Sequence, residues 1–147
     1  CLGAQLIADV LGGKVMQNSE REIGWWPVRA VPSNGTSFVE RYVFPPEATV
    51  LHWHGDTFTL PPGARRLAES EGCAQQAFAW GERVLALQFH LEMGAGAVAE
   101  IAAGCADELA VGGRWVADAE RIKAGAYEHA QASSALLAKL LAAMERE

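Results

Sequence analysis

Three side chains in this sequence could act together as a nucleophile, a base and an orienting acid. Cys1 heads the segment "CLGAQLIADVLGG", in which Leu2, Leu6 and Val10, and also Ile7 and Leu11, recur at helical spacing. A thiol at the mouth of a helix meets unpaired backbone N–H groups and the positive end of the helix dipole, and both stabilise a thiolate. Gly3 and Ala4 leave room for a carbonyl group to approach. His90 and Glu92 stand two apart in "QFHLE", at the end of an apolar stretch that reads as a strand, so both side chains are expected on one face. A carboxylate beside an imidazole fixes its tautomer and stabilises the imidazolium. Taken singly, each has a plain structural reading, a buried inert thiol or a satisfied histidine at the rim of a core. Together they supply the parts of nucleophilic attack on a carbonyl.

The elements that must position these groups follow from the pattern along the chain. A helix is expected from residue 2 to 11, stopped by Gly12-Gly13. "EIGWWPVRAV" reads as a strand that Pro27 confines to an edge or a bulge. "PSNG" reads as a turn, and Pro45-Pro46 ends the short element of "SFVERYVF". "ATVLHW" is a second strand, expected to run into a polar turn at "HGDT". After "LPPGA", the segments "RRLAES", "AQQAFAW" and "RVLALQFHL" read as three strands with hairpin-like separators. The last is apolar enough to be covered on both faces. From Ala95 the spacing turns helical, through "AGAVAEIAAGCADELA" and then through Ile122, Ala126, Ser133, Leu137, Leu140 and Met144. Strands followed by helices predict an α/β layer protein, one domain over residues 1–147.

Composition removes several classes of function. Half of the 147 residues are hydrophobic, and the net charge is -6 with only 12 Lys+Arg, which excludes a nucleic-acid or anionic-membrane partner resting on a basic patch. Cys1, Cys73 and Cys105 are too few and too widely spaced for a disulfide scaffold or a zinc knuckle, so reduced thiols in the cytoplasm are expected. No apolar run approaches the ~18 residues of a membrane-spanning helix.

In order and spacing, these motifs resemble those of the class I, triad-type glutamine amidotransferases. The family's G-x-C-x-G-x-Q motif is met by "CLGAQ", with Cys1, Gly3 and Gln5 in register, and its H-P-E motif by "HLE". Between them "WHGD" stands where the family carries a short loop after a strand. The continuation "TFTLPPGARRLAES…QAFAWG…LALQFHLE" is similar to the amidotransferase domain of GMP synthase and its stand-alone relatives, with landmarks from position 1 to about 92. The resemblance implies a flavodoxin-like fold, three-layered, with a mostly parallel sheet, helices on both faces and a small antiparallel region. The family's N-terminal strands are missing here, and one of them delivers the nucleophile. The chain is therefore expected to be the C-terminal part of a longer protein.

The same resemblance implies roles. Cys1 would be the nucleophile, His90 the base and Glu92 its orienter. The N–H of Leu2 would bind the oxyanion, and Gln5, Trp53, Gly55 and Asp56 would line the glutamine site. Glutamine would be the substrate, and ammonia would pass to an acceptor on a synthase domain or subunit, with no cofactor and no metal; the oligomeric state stays open. Two departures matter. Leu91 replaces the family's proline and frees a backbone N–H. Trp53 replaces a small polar residue and bears on substrate choice. Other readings remain. One is an enzyme using the α-amine of Cys1 as base, which leaves "QFHLE" unexplained. Another is a metal site of His52, His54, His90 and Glu92. A third is a hydrolase of another γ-glutamyl amide, and a fourth is a silent domain. Cys73 and Cys105 read as structural thiols and His129 as a solvated helix residue. Trp25, Trp26, Trp80 and Trp115 read as core or edge residues, with Trp25-Trp26 a candidate partner contact.

Overall fold

The first helix, α1 (Leu2–Val10), stops where its two glycines require it to. Gly12 takes φ 96°, a left-handed value that glycine adopts freely. The N–H of Gly13 reaches the carbonyl of Ala8 at 2.8 Å and that of Gly12 reaches Asp9 at 3.1 Å, so the last turn closes in a Schellman motif. A Cβ on Gly13 would lie 2.7 Å from the Thr59 carbonyl oxygen, so only glycine fits this crossing. The Leu2/Leu6/Val10 stripe faces outward, at 64, 56 and 83% exposure. The packed face is instead Ala4, Ala8, Ile7 and Leu11, set against Phe58, Phe78 and Ala86. Small alanines let the helix axis come close to the sheet, which longer leucines at those positions would prevent.

This is a computed structural model, and it describes residues 1–32 and 44–145. The expected turn at 32–35 and the element at 37–44 fall almost entirely outside those residues. The strands are β1 (Val15–Ala30), β2 (Glu47–Phe58), β3 (Ala64–Glu69), β4 (Ala77–Trp80), β5 (Val84–Leu87) and β6 (Trp115–Val116). They form one sheet in the order β2-β1-β3-β4-β5, with β6 joined to β1. Every ladder along that path is antiparallel, and only β1–β6 is parallel. The expectation of a mostly parallel sheet is therefore corrected for the described residues. The physical reason lies in the connections: short links between β2, β3, β4 and β5 fold the chain back on itself, and a parallel pair needs a long crossover. The one parallel pair among the described residues, β1–β6, is joined by the long stretch of chain that includes β2–β5 and the helices after β5.

Two further expectations change. "HGDT" is no turn, because β2 continues through it to Phe58. The last strand ends at Leu87 and is only half-buried, so Gln88–Glu92 lie beyond it. Pro27 is accommodated as its missing N–H demands. On the edge of β1 away from β2, β6 pairs at residues 22–23 and β3 at 29–30, and Pro27 sits between them.

The helical half is α2 (Ala95–Gly104), α3 (Ala106–Ala110) and α4 (Ala119–Glu145). Val50 and Leu51, adjacent on β2, point to opposite sides of the sheet and enter two different cores. Val50 packs with Val28, Leu67, Phe89, Leu91 and Leu140. Leu51 packs with Ile23, Val98, Ala117 and Ile122, against α2 and α4. No described helix is long and apolar enough to cross a membrane.

Candidate active site

Cys1 is the N-cap of α1 and is partly exposed. The first helical hydrogen bond runs from the Gln5 N–H to the Cys1 carbonyl at 3.1 Å, so the amides of Leu2, Gly3 and Ala4 have no acceptor within the helix. A Cβ on Gly3 would meet nothing within 4 Å, so the space beside the thiol is open.

His90 is held against β2. Its backbone N–H donates to the Leu51 carbonyl at 2.9 Å, which bridges the segment after β5 onto β2. The strand expected to aim His90 and Glu92 together is absent at these residues, yet the two side chains meet. The ring Nδ1 lies 2.7 Å from Glu92 Oε1. A carboxylate only accepts, so Nδ1–H is the donor and Nε2 is left with its lone pair. The freed N–H of Leu91 donates to Glu92 Oε2 at 3.0 Å, so each carboxylate oxygen has a donor.

Burial lowers the His90 pKa, and the hydrogen bond and charge of Glu92 only partly oppose this, so the ring is neutral near pH 7. Burial pushes the Glu92 carboxyl up, and the donors at His90, Leu91 and its own backbone outweigh that, leaving it below the usual carboxylate range.

The residues expected to line the substrate site divide into two groups. Gln5 is buried, and its Nε2 donates to the Asp56 carbonyl at 3.3 Å and to Gln88 Oε1 at 3.2 Å, so it ties α1 to β2. Leu2 stands beside Cys1 and is exposed. Gly55 lies opposite the irregular stretch between Gln17 and Glu22 of β1, and a Cβ there would touch the Arg21 side chain at 3.4 Å. Trp53 is drawn elsewhere: it packs with the Ile23–Leu51 core, and its indole N–H donates to Glu108 Oε2 of α3 at 3.0 Å.

Behind Gln5 lies a polar cluster of which the sequence reading picked out only His52, His54 and Cys73. Glu22 is fully buried in β1. Its Oε1 accepts from His54 Nε2 at 2.9 Å and Gln76 Nε2 at 2.7 Å, and its Oε2 from Ser70 Oγ at 2.6 Å. Burial alone would raise this carboxyl; the bonds from His54 and Ser70 and the attraction of His52 hold it far below the usual range instead. At 3.7 Å, His52 Nδ1 acts through its field rather than through a hydrogen bond, and that nitrogen has no partner. Thr57, Cys73 and Gln88 complete the cluster, with Thr57 Oγ1 3.2 Å from Cys73 Sγ and Gln88 Nε2 donating to both. Burial raises the Cys73 thiol, so it is an inert interior group. The sequence signal was present, since polar residues at 22, 76 and 88 interrupt otherwise apolar strand segments, and a buried polar group needs partners.

Ligand-type atoms of Glu22, His54 and Cys73 lie within 4.8 Å of one another, the one such group among the described residues. All three already have hydrogen-bond partners, so the cluster is closed upon itself. The alternative metal set of His52, His54, His90 and Glu92 is divided, because His54 engages Glu22 while His90 engages Glu92.

The profile of the family described as "Glutamine amidotransferase class-I" matches residues 1–101. A glutamine amidotransferase-like protein of Salmonella typhimurium, YfeJ, is 36% identical over 130 residues, 87% of this chain and 54% of the relative. A GMP synthase of Vibrio vulnificus is 36% identical over 97 residues, 63% of this chain and 18% of the relative. Among solved structures, a glutamine amido transferase from Methylobacillus flagellatus superposes with TM-score 0.89 at 28% identity, covering 98% of this chain and 59% of that one. A glutamine amidotransferase from Thermotoga maritima gives TM-score 0.83 at 34% identity, covering 100% and 61%. The chain thus spans about half the length of YfeJ and under a fifth of the GMP synthase.

Proposed function

Because the chain belongs to the class-I glutamine amidotransferase family, we propose that it hydrolyses the side-chain amide of glutamine through a cysteinyl thioester, with Cys1, His90 and Glu92 as the triad. The observation that carries this reading is the His90–Glu92 pair at 2.7 Å, with a neutral ring whose free Nε2 can take a proton. In the proposed cycle Cys1 gives its proton to His90 Nε2 and the thiolate attacks the γ-carboxamide carbon. The oxyanion is met by the N–H of Leu2, which the helix leaves without an acceptor. His90 returns the proton to the departing nitrogen, the C–N bond breaks and ammonia leaves. His90 then deprotonates a water, hydroxide attacks the thioester, the C–S bond breaks, His90 returns the proton to the Cys1 sulfur and glutamate departs.

Gln5 and the backbone at Gly55 and Asp56 are the proposed glutamine-binding groups. The ammonia is proposed to serve an acceptor on a partner synthase. The proposed setting is one α/β domain in the cytoplasm. The test is glutamate release from L-glutamine by the full-length protein and by Cys1→Ala. The wild type is expected to exceed the variant by about 10³-fold or more. Equal rates refute the triad.

A further inference from the structure

A closed ring of buried hydrogen bonds stands behind the proposed glutamine site. Asp56 offers one carbonyl oxygen to two donors, Gln5 Nε2 at 3.3 Å and His54 Nδ1 at 2.9 Å. His54 reaches Glu22 Oε1 through Nε2 at 2.9 Å. Glu22 Oε2 receives Ser70, and the Ser70 Oγ accepts from the Cys73 N–H at 3.1 Å. Cys73 Sγ receives Gln88 Nε2 at 3.5 Å, and Gln88 Oε1 receives Gln5, which closes the circuit.

The chemistry of the ring is decided at His54. Both of its nitrogens face groups that can only accept, a carbonyl oxygen and a carboxylate oxygen, so both must donate and the ring carries a proton on each. A buried imidazolium requires a buried counter-ion, and Glu22 is that ion. Packing confirms how closely the carboxylate is held: a Cβ on Gly72 would lie 2.8 Å from Glu22 Oε2 and 2.9 Å from Trp115 Cδ1.

We propose that Glu22 is a positioning residue of the amidase site, fixing the Asp56 carbonyl through His54 and thereby the side chain of Gln5. The proposal rests on the reading that Gln5 and the Gly55–Asp56 backbone bind glutamine. Glu22 touches no substrate; with the carboxylate replaced by an amide, His54 loses its counter-ion, and a single acceptor oxygen must serve donors that the two carboxylate oxygens now divide between them. The Asp56 carbonyl is then free to turn, and Gln5 with it. The loss falls on the binding of glutamine rather than on the chemistry at Cys1.

The test compares the full-length wild type with Glu22→Gln, with Ser70→Ala as a milder variant that removes one donor and keeps the charge. Leu140→Ala is the control for lost stability in a core that the ring does not enter. With L-glutamine, KM is expected to rise about tenfold in Glu22→Gln and two- to threefold in Ser70→Ala, with kcat within about threefold of wild type. Leu140→Ala is expected to leave KM in place. In parallel, the side-chain amide of Gln5 is followed by ¹⁵N NMR, where Glu22→Gln and Ser70→Ala are expected to shift its resonances and speed their exchange with water. A KM within twofold of wild type in both ring variants, or an unmoved Gln5 amide, overturns the proposal. If wild type and Cys1→Ala release glutamate equally, the amidase reading fails instead, and the Gln5 amide alone still decides whether Glu22 positions it.

Discussion

Replacing Glu92 by glutamine tests the candidate base directly. The carboxylate lies 2.7 Å from His90 Nδ1, with its side chain 60% exposed. Opposite unit charges about 4 Å apart attract by about 1 kcal/mol in water and about 4 kcal/mol at an effective dielectric of 20. At this exposure the lower end applies, so the amide forfeits about 1 kcal/mol of imidazolium stabilisation. That corresponds to about a fivefold fall in kcat/KM for glutamate release. A second loss is geometric. A carboxylate serves His90 and the Leu91 N–H with separate oxygens, whereas an amide has one acceptor oxygen and must abandon one of them, bringing the expected fall to about tenfold. The pH dependence has a definite sign. Burial lowers the His90 pKa and Glu92 opposes it, so removing the charge leaves burial unopposed and lowers the pKa further. The acid limb of the kcat/KM profile therefore moves to lower pH, and the His90 ring protons titrate at lower pH by NMR. An acid limb that stays in place or moves upward refutes the assignment of His90 as the base paired with Glu92.

Two predictions concern stability. Gly125→Ala in α4 gains about 1 kcal/mol of helix propensity, but the new Cβ would lie 2.7 Å from Trp25 Cγ and 2.9 Å from its Nε1. Trp25 cannot retreat without losing its 3.0 Å bond to the Ile122 carbonyl, so overpacking wins and urea unfolding is expected to show a net loss of about 1–3 kcal/mol; a stabilised variant contradicts this packing. The folded-state pKa of Glu22 lies far below its ordinary value of 4.5, so its contribution is complete above that pH and is lost as pH falls toward the folded value. Thermal melts from pH 7 to 3 are expected to show Tm falling below about pH 4.5, with this one group adding a slope of up to about 1.4 kcal/mol per pH unit, and a flat Tm across that range removes Glu22 from the account.

The sequence alone determined the motifs and the local structure that follows from nearest neighbours. Cys1 at a helix start, the stop at Gly12-Gly13, the strand through Trp25-Trp26 and the helices after Ala95 are all decided within a few residues, by capping, periodicity and backbone freedom. "CLGAQ" and "HLE" pointed to the family before any contact was known. Tertiary structure decided the rest. The outward turn of Leu2, Leu6 and Val10 depends on which helix face the sheet can approach, and periodicity cannot choose between two apolar stripes. "HGDT" stays extended because β1 pairs with it, a long-range ladder that outweighs the turn preference of Gly55 and Asp56. The His90–Glu92 contact survived the loss of the strand that was to create it, because the Leu51 carbonyl holds the segment from outside and the Leu91 N–H holds the Glu92 carboxylate within it. The Glu22 ring is the clearest case. Its members lie on α1, β1, β2 and the segments after β3 and β5, and only folding brings these acceptors and donors within 3.5 Å. A buried charge is legible in a sequence as an anomaly, while the partners that satisfy it are fixed by the fold.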